Sequence, residues 1–432
     1  MSAEAKVGLE FHVRLDLDGK LFAPSPGGRE PNQDVSAHCL GLPGTLPLPH
    51  PGALDLALRL ALGLGATPAK RCRFARKHYN YPDLPKGYQI SQLEPLAEGG
   101  TLRWPNGELP LRSLHLEEDA GRSKRLPSGR LGIDMNRSGA ALVEIVSAPT
   151  LGGGAEAGEA FRWLRALVVA LGVSRGALQD GDIRCDANVS IGGGPRCEIK
   201  NLNSYRFVTQ AVEAEIERQR AADGPVRPTT LGFDRKQRRT VPMRSKESRP
   251  EYRFLPEPDL PSYRVPSPPP LETACPMETW DRLKAAGCPE DTARFFALQP
   301  SWTPHLAPFR GSELAAAAKL LAHLGAGLAR KAPELEDTWR ERPERIRAAV
   351  RAARAGKSSV EQERLLLGKG ASAIDPTTVA EAVAMDHPGV LARLREGHPK
   401  ALGYLVGQAM RVAPGCDPLR LRRCFEIIAC RR

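Results

Sequence analysis

The stretch Lys6–Leu15, KVGLEFHVRL, alternates two kinds of side chain: Leu9, Phe11 and Val13 fall on one parity, Glu10 and His12 on the other. Successive side chains of a strand leave opposite faces, so the segment reads as a β-strand with an apolar face for a core and a polar face that sets a carboxylate beside an imidazole. A Glu and a His placed in this way form either a metal-binding pair or a solvent-facing strand edge, and the two residues alone leave that open. Similar alternation recurs in ALVEIVSA (141–148) and DANVSI (186–191), between clusters of Gly and Pro. Three- and four-residue apolar spacing predicts helices at Ala53–Leu64, across 156–172 and at Phe207–Ala222. The mixture predicts an α+β domain built on a largely antiparallel sheet.

Outward from that domain the pattern changes once. The proline-heavy run Pro261–Pro276, PSYRVPSPPPLETACP, cannot hold a regular element and reads as a linker. Beyond it the spacing is almost wholly helical, as in Gly311–Lys331 and Arg342–Ala355, with a break at Gly356–Ser359. The expected organisation is an antiparallel-sheet catalytic domain over 1–270, an all-α helical domain over 271–358 and a small helical tail domain over 359–432. A chain of 432 residues exceeds one typical core, which agrees with several domains.

Composition narrows the class of protein. The chain is 41% hydrophobic and 26% charged, as ordinary globular proteins are, and its longest apolar stretch, Ala53–Ala66, is interrupted by Asp55 and Arg59 and too short to span a bilayer. The first residues show no basic head followed by an apolar run, so a cytoplasmic protein without a membrane role is expected. Nine cysteines at irregular spacing, with no C-x-x-C pair, argue against a disulfide framework and a structural zinc site. Sixty-two basic against fifty acidic residues give a formal charge of +12, which suits a nucleic-acid partner or an anionic substrate.

Acidic residues gather in the first domain on separate segments. HLEEDAGR (115–122) supplies Glu117, Glu118 and Asp119; DIRCDANVSI supplies Asp186 and Asn188; CEIKNLNSYRF supplies Glu198, Lys200, Asn201 and Asn203. Carboxylates from several segments, joined by one His and few thiolates, are the donor set of a hard cation such as Mg²⁺. Basic residues accompany them inside Gly-, Pro- or Asn-punctuated motifs: Lys77, Lys86, Arg137, Arg184, Lys200, Arg244, Lys246 and Arg253. Acids that hold Mg²⁺ and cations that clamp phosphoryl oxygens are the two halves of a phosphoryl-transfer site. No Walker loop, kinase glycine loop or dinucleotide fingerprint is present, and GGGAEAGEA (152–160) and IGGGP (191–195) read as turns.

The tetrapeptide PDLP occurs twice, in YPDLPKGYQISQ (81–92) and in PEPDLPSYRV (256–265), each time as a stiff elbow feeding a strand. The first copy, followed by Lys86 and Gly87, is expected to form a pocket wall; the second, followed by Ser262, is expected to close the domain.

The ordered series GLEFHV, CLGLPGTLP, RKHYNYPDLPKGYQISQ, HLEEDAG, DMNRSGAALVEIVS, IRCDANVS, EIKNLNSYRFV, MRSKE and YRFLPEPDLP closely resembles the GatB/GatE family, the B subunits of aspartyl/glutamyl-tRNA(Asn/Gln) amidotransferases. PKALGYLVGQAMRV extends the resemblance into the tail. The resemblance implies ATP-dependent phosphorylation of the side-chain carboxylate of Glu-tRNA(Gln) or Asp-tRNA(Asn), then amidation by ammonia. It implies ATP and Mg²⁺ as cofactors, a GatA-like amidase and a GatC-like small subunit as partners, and misacylated tRNA gripped by the helical and tail domains.

Carried over by motif, the metal set is Glu10, His12, Glu118, Asp186 and Glu198, with Glu117 as substitute or supporting member. The resemblance implies that Lys77, Lys86 and Lys200 line the pocket or the ammonia path and that Arg184 and Arg244 contact the phosphoryl group or nucleotide. Arg137, Asn188, Asn201, Lys246 and Arg253 are expected to complete the nucleotide contacts. Two other readings are an ATP-dependent ligase that amidates a carboxylate outside translation and a tRNA-binding homologue without turnover.

Overall fold

The computed structural model describes residues 4–28, 30–222, 224–243, 253–268, 270–368, 375–413 and 416–430. The chain forms two compact units, Met1–Glu278 and Thr279–Arg432. The first is built on a ten-stranded sheet. From one edge its strands run Arg239–Pro242, Thr230–Asp234, Cys197–Leu202, Ile183–Ile191, Ala5–Arg14, Ala141–Ser147, Gly107–Glu118, Ala97–Glu98 and Thr67–Pro68, with Thr101–Trp104 paired to Gly107–Glu118. Every pairing is antiparallel except that of Cys197–Leu202 with Thr230–Asp234. The sheet followed by helices is the α+β architecture that the alternation predicts.

The first strand, Ala5–Arg14, lies in the middle of the sheet, and its two parities settle the two faces. Val7, Leu9, Phe11 and Val13 are buried, as are Cys185, Ala187 and Val189 on one neighbour and Val143 and Ile145 on the other. The helix Gly154–Ala170 covers this apolar face: the Phe161 ring stands 6.2 Å from the Phe11 ring. Each such side chain contributes roughly 1.5–3 kcal/mol by leaving water. With the core on one side, Glu10 and His12 necessarily lie on the other.

The helix Tyr205–Arg220, capped by the Ser204 hydroxyl accepting from Phe207 N at 3.3 Å, packs beside Gly154–Ala170. The two approach closely at Gly158, where a Cβ would lie 2.1 Å from Thr209 Oγ1. The stretch GGGAEAGEA is therefore only in part the turn expected of it: from Gly154 onward it is the start of this helix, and Gly158 is a packing residue within it.

A second, three-stranded sheet sets Ala75–His78 between Tyr88–Ser91 and Arg253–Pro256. Both PDLP elbows are turns feeding strands, Tyr88–Ser91 after the first and Tyr263–Arg264 after the second; the latter pairs with Arg71–Cys72, so the run 261–276, expected to hold no regular element, begins with a short strand.

In the second unit the expected run 311–331 is divided into Gly311–Leu320, a π-helical turn at Leu321–Gly325 and Ala326–Lys331. Trp302, His305 and Trp339 pack ring against ring at centroid distances of 5.5–6.4 Å. The turn at Gly356–Ser359 connects Glu344–Arg354 to Ser359–Leu366, which pack on each other, and Trp339 Nε1 donates to Leu366 O at 2.8 Å. Pro376–Asp386, Pro388–Arg395, Pro399–Val412 and Pro418–Cys430 surround a core of their own, with Val383, Leu405, Leu421 and Phe425 at its centre.

Candidate active site

Strand register assembles the polar face of the sheet. His12 stands opposite Glu144 on one neighbour and Arg184 on the other, while Glu10 stands opposite Asp186. One strand further, His115 faces Glu144, and Glu117 shares its parity. Three carboxylates converge on one imidazole nitrogen: His12 Nε2 lies 3.7 Å from Glu10 Oε1, 3.7 Å from Glu117 Oε1 and 3.6 Å from Glu144 Oε2. Ser91 Oγ donates to the other Glu117 oxygen at 2.9 Å.

One imidazolium cannot neutralise three carboxylates, and the titration of the group reflects this. Burial and the Glu144 charge push the Glu10 carboxyl up to about 7. Burial would depress His12, but pairing with Glu144 and the Glu117 and Glu144 charges raise it to about 9. Burial works against ionised Glu144 too, yet the His12 contact and charge hold it down at about 2. Burial, then the Glu144 charge, raises Glu117, partly offset by Lys77 and His12. Ligand atoms of Glu10, His12 and Glu144 all lie within 4.8 Å of one another. Clustered carboxylate oxygens with excess negative charge, supplemented by one imidazole, fit a hard divalent cation.

Three ion-pair groups flank the cluster. Asp186, 7% exposed, accepts from Lys200 Nζ at 3.1 Å and from Asn201 N at 2.8 Å; Asn201 adopts φ 61°, which Asn tolerates better than most side chains. Lys200 also lies 3.0 Å from Glu198 Oε1, and Asn188 stands opposite Glu198 in register. Asp119 receives Arg137 at 2.9 and 2.6 Å through one oxygen and Arg184 at 2.9 Å through the other. Burial would raise Asp119, but the two guanidiniums hold it below the usual carboxylate range.

Lys86 Nζ donates to Glu118 Oε1, which also accepts from Ile90 N at 2.9 Å; His38 Nε2 lies 3.3 Å from the same ammonium. Burial and the Lys86 charge push His38 down to about 4.

The structure thus distributes the sequence candidates unevenly. It brings Glu10, His12 and Glu117 together, with Lys77 close enough to lower both Glu117 and Glu144. Glu118 is on the opposite parity from Glu117, on the side of Leu114 and Leu116, and is engaged by Lys86 rather than by His12. Asp186 and Glu198 meet Lys200. Arg253 is exposed at the edge of the three-stranded sheet, and its carbonyl lies 3.0 Å from His78 Nδ1. Arg244 and Lys246 lie outside the described residues.

Sequence reading passed over Glu144 and the role of Asp119. Glu144 did leave a signal: it is the one charged side chain within the apolar strand Ala141–Ser147. Its pairing with His12 is a matter of register, which local pattern does not encode.

Comparison with known proteins adds a separate observation. Residues 5–268 match the GatB/GatE catalytic domain. Over its length the chain is similar to the B subunit of the aspartyl/glutamyl-tRNA(Asn/Gln) amidotransferase of Thermus thermophilus, at 38% identity over 456 residues covering 95% of this chain and 96% of the relative. The B subunits of the same enzyme from Anaeromyxobacter dehalogenans and Bordetella avium are 37% and 36% identical, covering 95% and 96% of this chain and equal shares of their own.

Proposed function

The chain belongs to the GatB/GatE family, and on that premise we propose that it is the B subunit of a tRNA-dependent amidotransferase, a carbon–nitrogen ligase of protein synthesis. A side-chain carboxylate of Glu-tRNA(Gln) or Asp-tRNA(Asn) attacks the γ-phosphorus of ATP, and ADP leaves. Ammonia then attacks the acyl carbon, phosphate leaves with the C–O electron pair, and the nitrogen sheds a proton. Phosphorylation is needed because oxide is too poor a leaving group for direct displacement.

The observation that carries the reading is the convergence of Glu10, Glu117 and Glu144 on His12 on the polar face of the sheet. Glu10, His12 and Glu144 are the residues that would hold Mg²⁺, with Glu117 beside them. The ion would supply charge neutralisation for the oxygens of the transferred phosphoryl group. Lys200, fixed between Asp186 and Glu198, and Lys77, beside Glu117 and Glu144, place ammonium groups on the face where the polyanionic substrates would bind.

The sequence carries no recognisable amidase or glutaminase signature. We therefore assign ammonia supply to a GatA-like amidase braced by a GatC-like small subunit, and tRNA binding to the Arg-rich helices after residue 270. No described helix is long and apolar enough to cross a membrane, and the cytoplasm is the proposed compartment.

The test is ADP release by the purified chain with ATP, Mg²⁺ and ammonium. Release stimulated by Glu-tRNA(Gln) or Asp-tRNA(Asn) and not by free glutamate or aspartate is expected. Stimulation by a free acid alone would favour a ligase outside translation. Aminoacyl-tRNA binding without any hydrolysis would favour a homologue that has lost turnover.

A further inference from the structure

Arg14 follows Glu10 and His12 on the polar parity of the first strand, two residues and so about 7 Å beyond His12. It lines a polar cleft of about 190 Å³ together with Asp16, Arg175 and Asp182. The two carboxylates of that cleft are answered by Arg175, 3.2 Å from Asp182 and 3.9 Å from Asp16. Among the described residues no carboxylate lies within ion-pair distance of Arg14.

Beside it another guanidinium donor is left over. Arg137 and Arg184 share the single carboxylate Asp119, and Arg184 Nε is buried without a hydrogen-bond partner. Lys20 Nζ is buried nearby, donating to Asn136 O and Ser138 O at 2.8 and 2.7 Å and lying 3.8 Å from Asp34 Oδ2. Burial holds the Arg137 guanidinium below its usual range, and the charges of Arg184 and Arg14 add to that depression. Arg14, which has no carboxylate partner among the described residues, and Arg184, whose Nε is unpartnered, leave guanidinium donors to spare, and the planar guanidinium fork matches phosphate oxygens in pairs.

We propose that the cleft at Arg14 is a phosphate subsite in which Arg14 donates to a phosphoryl group, with Asp119 holding Arg137 and Arg184 as the adjoining positive wall. The inference deepens the proposed phosphoryl transfer and rests on it: the subsite lies one polar step along the strand from the carboxylate cluster, where a phosphoryl group of ATP or the phosphate released by amidation would be held. A phosphate of the tRNA backbone has the same chemistry, and the test separates the two sources.

The test is calorimetric titration of the folded chain with inorganic phosphate, without Mg²⁺, for the wild type, Arg14→Gln and Arg14→Lys. Binding by the wild type, weakened about tenfold or more in Arg14→Gln and partly recovered in Arg14→Lys, is expected, that being the size of one charge-assisted hydrogen bond. Equal phosphate affinity in the wild type and Arg14→Gln, or no binding by the wild type, would overturn the subsite. Titration with tRNA is expected to give equal affinities for the wild type and Arg14→Gln. Weaker tRNA binding with unchanged phosphate binding would reassign Arg14 to the polynucleotide and overturn the proposal. Amide formation by the wild type, measured separately, keeps a failed subsite distinguishable from a failed function.

Discussion

His12 and Glu144 face each other across adjacent antiparallel strands, in register, with Nε2 3.6 Å from Oε2. The pair sits on the polar side of a sheet whose other side is sealed by the helix Gly154–Ala170, so its geometry is fixed by the core beneath it. Removing the Glu144 charge should therefore act on the site more than on the fold. We expect Glu144→Gln to weaken binding of Mn²⁺, used as a spectroscopic stand-in for Mg²⁺, by about tenfold or more, the loss of one of few charged ligands. Paramagnetic titration reads this, and unchanged Mn²⁺ affinity in a folded variant would remove Glu144 from the ligand set.

Lys86 and Glu118 form a pair whose side chains are 3% and 1% exposed. Lys86→Met would leave the Glu118 carboxylate buried without its counter-charge, at a cost of roughly 3–5 kcal/mol. Denaturant unfolding should show that loss, and Lys86→Met combined with Glu118→Gln should recover much of it. A full loss in the double variant would mean that packing, not charge, keeps Lys86 in place.

Gly158 marks a close approach of the two helices behind the sheet, and an added Cβ would meet Thr209 Oγ1 at 2.1 Å and Tyr205 O at 3.2 Å. Gly158→Ala is expected to destabilise the first unit by about 1–3 kcal/mol through overpacking. Thr209→Ala in the same chain should relieve part of the clash. Thermal melts of the single and double variants measure both.

His305 supplies a pH dependence in the second unit. Its side chain is wholly buried, neither ring nitrogen has a hydrogen-bond partner, and burial, with the Arg340 charge, pushes it down to about 4. Glu336 lies 3.9 Å away, and the Asp337 charge acts in the opposite direction to Arg340. An unfolded imidazole takes a proton near 6.5 and the buried one only near 4, so between those values the unfolded chain binds more protons. The stabilisation from neutral His305 is fully present above about 6.5 and is lost as pH falls towards 4, by up to about 3 kcal/mol. Unfolding free energies across that range should fall more steeply for the wild type than for His305→Phe; parallel curves would contradict the assignment.

Much of this was legible before the structure, for a physical reason. The period of two in Lys6–Leu15 follows from strand geometry, so the polar and apolar faces could be read from ten residues. Which polar residues meet across strands could not be read, because register depends on partners distant in sequence: Glu10 joins Asp186, and His12 joins Glu144. The adjacent acids Glu117 and Glu118 show the same limit at short range. Alternation requires that they part, yet only the neighbouring strands reveal that His12 waits for Glu117 and Lys86 for Glu118. The two PDLP elbows diverge in this way as well: the first is followed by Lys86 beneath Glu118, the second by Ser262, whose hydroxyl accepts from Arg71 Nε at 3.0 Å.

The Glu10–His12–Glu144 face is proposed to perform the ATP-dependent amidation. The most direct test incubates the chain, alone or with its co-purifying subunits, with ATP, Mg²⁺, ammonium and Glu-tRNA(Gln) or Asp-tRNA(Asn), then identifies the amino acid released from the tRNA. Glutamine or asparagine is expected with the wild type, and a loss of about 100-fold or more in folded His12→Gln, the scale on which a group acting in the transition state counts. No amide from the folded wild type, or an undiminished rate in His12→Gln, would contradict that proposal.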